Sequence, residues 1–492
     1  MVEEQRTNKM EYREQQKGLH YILYHGIVFQ IMVTLSGGAF IIAFALLLGA
    51  SNFLIGLLAA GPFLGNIFQI PAVLLVEKVR KRRLVSIVGF LIFCVWLPIF
   101  ALMPLFFKAF GLSLLVAGIF LSGVAAAFST CAWSSWMHDL VPDNIRGGYF
   151  SKRMAISLAL AMPLSLSAGR FIDFWQVKFP DYAAVGYSIL FLVAFAFGIA
   201  GIFALRATPD VPMRKSTQQI SLREIIGVPL KDENFRRMLI FSAFWALAFN
   251  FAAPFFVVYM LKRIGFSLTT VIIFSVISQL FYLIFLRVWG VLSDKLSNKS
   301  VMQVSGSLLL GCIIAWPFTT LPEIYVATLP LLVIIHVLSG IALAGVFIAS
   351  FNIAFKLAPP GDATKYLALN GALVSMGMAV GPILGGLLAD ILEKMELSLT
   401  FRWLISEKGW IAYLLNFRGL DFLFFVAFIL GLYALRRLSL VKEKGEVKKR
   451  VVYYEFLSET RRTMRNISSL GGLAHLVYVP IYLRLQRRQR SK

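Results

Sequence analysis

Charge is scarce in this sequence: 15% of its 492 residues are Asp, Glu, Lys or Arg and 59% are hydrophobic, against about 25% and about 45–50% in soluble domains. That balance excludes an ordinary water-soluble globular protein. Cysteine is nearly absent. Cys94, Cys131 and Cys312 all fall within apolar runs, where a thiol behaves as a small buried hydrophobe, so neither a disulfide framework nor a metal cluster is expected. There is no Gly-x-x-x-x-Gly-Lys-(Ser/Thr) loop, which speaks against an ATP-driven pump in this chain, and no His-Glu-x-x-His metal motif. No polar stretch is long enough to hold a catalytic domain. An enzyme is therefore the least expected class, and no cofactor or metal is expected.

Long apolar runs take the place of what is missing. Twelve of them, near 26–49, 53–76, 84–107, 111–137, 150–174, 183–206, 238–260, 267–290, 300–319, 327–354, 366–390 and 419–436, can each cross a hydrocarbon core about 30 Å thick as a helix. The sequence thus predicts an all-α membrane protein. Its net charge of +23 would suggest nucleic acid in a soluble protein, but the charge is distributed as a topology signal. With the segments between runs assigned alternately to two sides, 39 of the 48 Lys and Arg lie on the side of the N terminus and 9 on the other. Positive charge resists translocation, so both termini are expected in the cytoplasm and nucleic acid is not an expected partner. The first apolar run is too long, and lacks the cleavage pattern, for a secretory signal peptide.

The chain divides into an N-terminal segment 1–25, six spans over 26–206, a polar linker 207–237 with Pro209, Pro212 and Pro229, six more spans over 238–436, and a basic tail 437–492. The two sets of spans repeat one another. Residues 77–173 align with 294–390 without a gap at a constant offset of 217. Leu121-Ser122-Gly123 falls on Leu338-Ser339-Gly340, Pro142 on Pro359, Tyr149 on Tyr366, Gly169 on Gly386 and Asp173 on Asp390. A duplicated hydrophobic half places its working site between the copies. The match ends after Asp390, where a longer outer loop, 391–418, carries Trp403, Trp410 and Tyr413 among charges. That mixture suits a helix lying in the membrane interface. In the tail, Leu473–Leu485 followed by Arg487, Arg488 and Arg490 suits contact with anionic lipid headgroups.

After the eighth span the chain reads Gly290-Val-Leu-Ser-Asp294-Lys295-Leu-Ser-Asn-Lys299, and its repeat partner after the second span has Val73 for the glycine and Glu77 for the aspartate, followed by Lys78, Arg80, Lys81, Arg82 and Arg83. This turn in both halves, the twelve spans and the basic central linker together resemble the major facilitator superfamily of secondary transporters, over roughly residues 20–436. The resemblance implies two six-helix bundles that rock about a central site. It also implies a gating role for Asp294, Lys295, Lys299, Glu77, Arg82 and Gly290 on the cytoplasmic side, with Arg146 as an ion-pair partner. The eleventh span contains Gly377-x-x-x-Gly381-Pro382-x-x-Gly385-Gly386, similar to the glycine and proline signature that exporters of this family carry on the fifth. The fifth span here keeps Pro163 and Gly169 without the glycine run. Small residues let helices approach closely and proline bends them, so this stretch is a candidate hinge.

No span places Asp or Glu near mid membrane: Asp139, Asp173, Asp390 and Asp421 all lie near span ends, which argues against carboxylate-based proton coupling. His336 is the exception among ionisable groups, nine residues into the tenth span, or about 14 Å deep at about 1.5 Å per residue. Such a group is costly in a bilayer and reads as a functional candidate. Its repeat partner is Ile119. Other mid-span polar residues are Thr34, Asn66, Gln69, Asn250 and Gln279. By the resemblance, they and His336 are candidates for a substrate cavity, each weighed against a role as interhelical glue. The expected function is secondary active or facilitative transport of a small organic solute by alternating access, with export as one direction. The alternative is a membrane scaffold or assembly factor that keeps the fold without transporting. A monomer in the plasma membrane (the inner membrane of a bacterium) is expected, with a small-molecule substrate and lipid as its partners.

Overall fold

The computed structural model describes residues 2–468 except 107–109, 212, 214–221, 321–322, 360–361, 406–407 and 448. The first half comprises α1 (Val2–Ser36), α2 (Gly38–Leu47), α3 (Asn52–Gly65), α4 (Gln69–Val79), α5 (Arg82–Phe106), α6 (Gly111–Leu140), α7 (Asp143–Lys178) and α8 (Ala183–Ala207). A short helix, α9 (Leu222–Lys231), precedes α10 (Glu233–Val258), α11 (Leu268–Lys295), α12 (Asn298–Ala315), α13 (Thr328–Leu357) and α14 (Ala363–Leu392). Then come strands β1 (Glu396–Ile405) and β2 (Lys408–Arg418), and helices α15 (Leu420–Ser439) and α16 (Lys449–Ser468).

Eleven of the described helices are long and apolar enough to cross a membrane, or twelve if α3 and α4, which meet at a 47° bend, form one span. The first span is likewise broken: α1 passes into α2 at Gly38, whose φ of +53° glycine adopts without a Cβ penalty. The internal repeat is carried into the helices, since α13 begins and ends 217 residues after α6. We call the end of the bundle where α1 starts and α15 finishes the terminal end, and the opposite one the far end.

One segment differs from expectation. The outer loop is an antiparallel hairpin, with Trp403 opposite Trp410, Ile405 opposite Lys408, and a bulge at Leu399/Thr400. Leu397, Leu399, Phe401, Trp403 and Ile405 recur every second residue, the period of a strand rather than a helix. In the tail, Leu473–Leu485 and Arg487, Arg488 and Arg490 lie outside the described residues. The part before them folds back as α16. Phe456 stacks on Trp289 and Phe285 at 4.7 and 5.7 Å between ring centres, and Val452 is fully buried. Lys295 approaches Glu459 at 3.6 Å.

Glu443 fixes the start of this docked tail. Its carboxylate accepts from the backbone N–H groups of Asn298 (3.2 Å) and Lys299 (2.7 Å) and from the Ser297 hydroxyl (2.7 Å), capping α12, and it pairs with Lys356 at 2.8 Å. Burial raises the carboxyl's pKa, but Lys356 and the capping donors outweigh it and hold it below the usual carboxylate range. A depressed folded value means a stabilising contribution that is complete above the unfolded value of about 4.3 and is lost as pH falls through the folded one. Tail docking should therefore persist from pH 7 to pH 5 and loosen only in stronger acid. Glu443→Ala should cost about 3 kcal/mol, because it strands buried donors and a lysine. Hydrogen exchange over residues 440–463 would register it as faster amide exchange than in the parent.

Candidate functional site

The halves meet at the far end through two carboxylates related by the internal repeat. Asp390, near the end of α14, accepts from the backbone N–H groups of Asn52 and Phe53, both at 2.9 Å, at the start of α3. Asp173, near the end of α7, accepts from Leu268 at 3.0 Å and Thr269 at 2.9 Å, at the start of α11. Each half thus caps a helix of the other. The first N–H groups of a helix have no partner within it, and the helix dipole favours a negative charge there. A cap of this kind contributes about 1 kcal/mol, and up to about 2 where partly buried.

Glycine brings the backbones close enough for these bonds. A Cβ on Gly386 would overlap the Asn52 carbonyl, and one on Gly56 the Pro382 carbonyl, so α3 and α14 touch main chain to main chain. Gly169 does the same for α7, where a Cβ would lie 2.6 Å from Ile272 Cδ1 and 3.3 Å from Thr269 Cα. Over the α7–α11 cap lies a hollow of about 440 Å³ lined in part by Leu46, Asp173, Tyr187, Phe266 and Leu268.

The proposed hinge in α14 has two faces. Gly377, Gly381 and Gly385 line the seam with α10: a Cβ on Gly377 or Gly381 would lie 2.6 Å from the carbonyl oxygen of Ala243 or Leu247, and one on Gly385 would overlap that of Phe251. Pro382 and Gly386 face the other half. The stretch is therefore a packing seam within one half and part of the contact between halves.

At the terminal end the charges expected to latch the halves pair within their own half. Arg82 is buried and donates to Asp139 (2.7 Å), to the Ser135 carbonyl (2.7 Å) and to the Val211 carbonyl (2.9 Å). Arg146 pairs with Asp143 and donates to the His138 carbonyl at 2.6 Å, bracing its own loop. Lys299 is also buried. It donates to the carbonyls of Ser439 (3.1 Å) and Val441 (2.7 Å) and pairs with Glu446 at 2.8 Å. Glu77 and Asp294 are exposed, with no ion pair among the described residues. A Cβ added at Gly290 would lie 3.7 Å from Ile348 Cδ1, an ordinary contact, so no close crossing requires glycine there.

The cavity candidates are not gathered into one cluster. His336 is buried, stacks on Phe274 at 4.8 Å and meets the edge of Trp316 at 5.5 Å, and its Nδ1 lies 2.8 Å from the Leu332 carbonyl of its own helix. Asn250 donates to Ala246 at 2.8 Å, also within its helix, and Thr34 accepts from Gln30 at 3.2 Å. Asn66 begins the short 3-10 turn between α3 and α4, beside exposed Gln69. Gln279 is half-buried on α11 and has no hydrogen bond among the described residues. The packing of His336 predicts that His336→Phe, which keeps the stack, changes stability by less than about 1.5 kcal/mol. His336→Ala should cost about 2–4 kcal/mol by leaving a cavity. Thermal unfolding of the two variants would compare them.

Sequence reading missed Asp173 and Asp390 as cross-half contacts, although the repeat already paired them. A longer view of the family comes from comparison with known proteins. No curated protein sequence matches the chain. Among solved structures it is similar to a mutant of the nucleoside transporter NupG, with a TM-score of 0.64 at 13% identity over 87% of this chain and 100% of that one. It is also similar to the D-xylose-proton symporter, at 0.64 and 14% over 88% and 99%. A bacterial homolog to the human lysosomal transporter Spinster, in its inward-facing and unoccupied conformation, gives 0.57 and 14% over 96% and 95%. At these identities the likeness is one of fold. The family model described as Major Facilitator Superfamily matches residues 26–335 and 238–486, and the chain belongs to that family of multi-pass membrane transporters.

Proposed function

We propose that this chain carries a small organic solute across the membrane by rocking its two halves about a central site, and that the structure described is the state closed at the far-end seam and open toward the terminal end. The observation that carries the reading is the reciprocal pair of caps, Asp173 on α11 and Asp390 on α3. These are polar, water-replaceable bonds between two bundles. A permanent interface in a membrane would be better served by packing alone, whereas a gate needs contacts that form and release at modest cost. The excess of Lys and Arg on the terminal side supports a cytoplasmic placement of both termini. The structure described is then inward-facing, in a monomer of the plasma membrane, or of the inner membrane if the source is bacterial. The free face of α16, with Tyr453, Tyr454 and Leu457 exposed beside Arg450 and Arg461, suits the headgroup region of anionic lipid.

A thermal-shift screen against chemically varied solutes, followed by flux of each stabilising solute in proteoliposomes, tests this. Ligand at 100 times Kd stabilises the folded protein by about 2.7 kcal/mol. At least one stabilising solute should cross the bilayer only in vesicles holding the protein. If none crosses, while a protein partner copurifies and requires residues 391–418, the chain is a scaffold instead.

A further inference from the structure

At the terminal end of the first half, α1, α6 and α7 converge on a group of polar side chains that the far-end gate does not use. Arg153 of α7 donates through Nε to the Ile22 carbonyl of α1 at 3.2 Å, and its guanidinium lies 5.0 Å from the ring centre of Trp133 on α6. Its two terminal nitrogens have no hydrogen bond, and no carboxylate pairs with it, among the described residues. His25 of α1 is 6% exposed, yet neither ring nitrogen has a partner among the described residues. The Trp133 indole N–H and the hydroxyl of Ser157, one helical turn beyond Arg153, are also buried without partners among the described residues. Aromatic rings enclose the group: His25 stacks on Phe29 at 5.9 Å and meets Phe90 edge-on at 5.4 Å, while Phe150 packs edge-on against Trp133 at 5.7 Å.

Buried polar groups are nearly always hydrogen-bonded, and leaving one unpaired costs about 1–3 kcal/mol. A cation without a counter-charge beside three such groups is an arrangement that lacks an anion. We propose that this pocket binds an organic anion, a carboxylate or phosphate monoester on an aromatic or apolar body. The free fork of Arg153 takes two anion oxygens in the bidentate geometry that guanidinium favours. His25 and the indole N–H of Trp133 supply further hydrogen bonds, and Phe29, Phe90 and Phe150 accept the body. The inference rests on the transport reading in that it names the class of solute admitted from the open side.

Benzoate and phenyl phosphate serve as probes, with benzamide as the neutral control, on the full chain in phosphatidylcholine nanodiscs. Both anions should raise Tm and change tryptophan fluorescence, and benzamide at the same concentration should do neither. Arg153→Gln should weaken anion binding at least about tenfold, while Arg153→Lys, which retains a point charge, should keep part of it and guard against a folding defect in the glutamine variant. Replacing half of the lipid by phosphatidylglycerol separates two sources of the same chemistry. An unchanged response assigns the pocket to a free solute; suppression of the response, with the anionic lipid retained by the parent but not by Arg153→Gln, assigns it to a lipid headgroup. Equal responses to benzoate and benzamide, no response to either anion, or undiminished binding by both Arg153 variants would overturn the proposal. Flux of some neutral solute with no anion binding would overturn it alone, whereas anion binding without any flux would overturn the transport reading and leave the pocket standing.

Discussion

Asp173→Ala and Asp390→Ala together will shift the protein about 100-fold toward the conformation in which the far end is open. Each carboxylate closes two backbone N–H groups at the start of a helix in the opposite half. Losing one cap costs about 1–2 kcal/mol, and about 2.8 kcal/mol in total is a factor of about 100. The effect should be directional, since the caps bridge the two halves and separating the halves at the far end would break them. Their removal destabilises one state and leaves the other untouched. Accessibility of single cysteines to an impermeant reagent would read it: far-end positions should label faster in the double variant, and terminal-end positions more slowly. Asp173→Asn and Asp390→Asn should give intermediate shifts, because an amide oxygen still accepts a hydrogen bond but brings no charge to the helix dipole.

The two faces of α14 should separate fold from gating with equal force. Gly386→Val places side-chain atoms against the Asn52 carbonyl of the other half, and Gly381→Val against the Leu247 carbonyl of its own. Overpacking of this kind costs about 1–3 kcal/mol and more where backbone cannot yield. Across the halves the strain is relieved by opening the far end, so Gly386→Val should keep normal abundance and Tm while losing most transport. Within the half there is no such relief. Gly381→Val should therefore lower abundance and Tm together, and both are read from a single purification series.

These residues also show how far the sequence could be read. Span lengths and the repeat are properties of the chain in one dimension, and they point to an all-α membrane fold in two halves; the family came from the resemblance carried by the turns after α4 and α11 together with the spans and the basic linker. The offset of 217 residues paired Asp173 with Asp390, but it located them only along their own helices. Which helix start each one faces depends on how two bundles pack, and no local pattern records that. The basic run after α4 and the lysines after α11 look like solvated topology signals or latches. Arg82 and Lys299 are instead buried hydrogen-bond centres, and a run of positive residues carries no mark of which member turns inward. His336 stands out in the sequence by its depth in the tenth span, and the structure places it against Phe274 and Trp316. Arg153 and His25 carry no such mark in the sequence, since at a span edge either reads as an ordinary interfacial residue; only the packing brings the buried imidazole and the indole of Trp133 together. The hairpin at 396–418 was legible in its two-residue period and was hidden by its aromatic content.

The decisive measurement is a pair of spin-label distances in one protein, one across the terminal end between Ser151 and Asp294 and one across the far end between Val177 and Ile391, all four positions being exposed. Rocking about a central seam requires the two distances to change in opposite directions. In Asp173→Ala with Asp390→Ala, the far-end distance should lengthen and the terminal-end distance shorten relative to the parent. Two distances that stay fixed, or that lengthen together, would contradict alternating access in this protein.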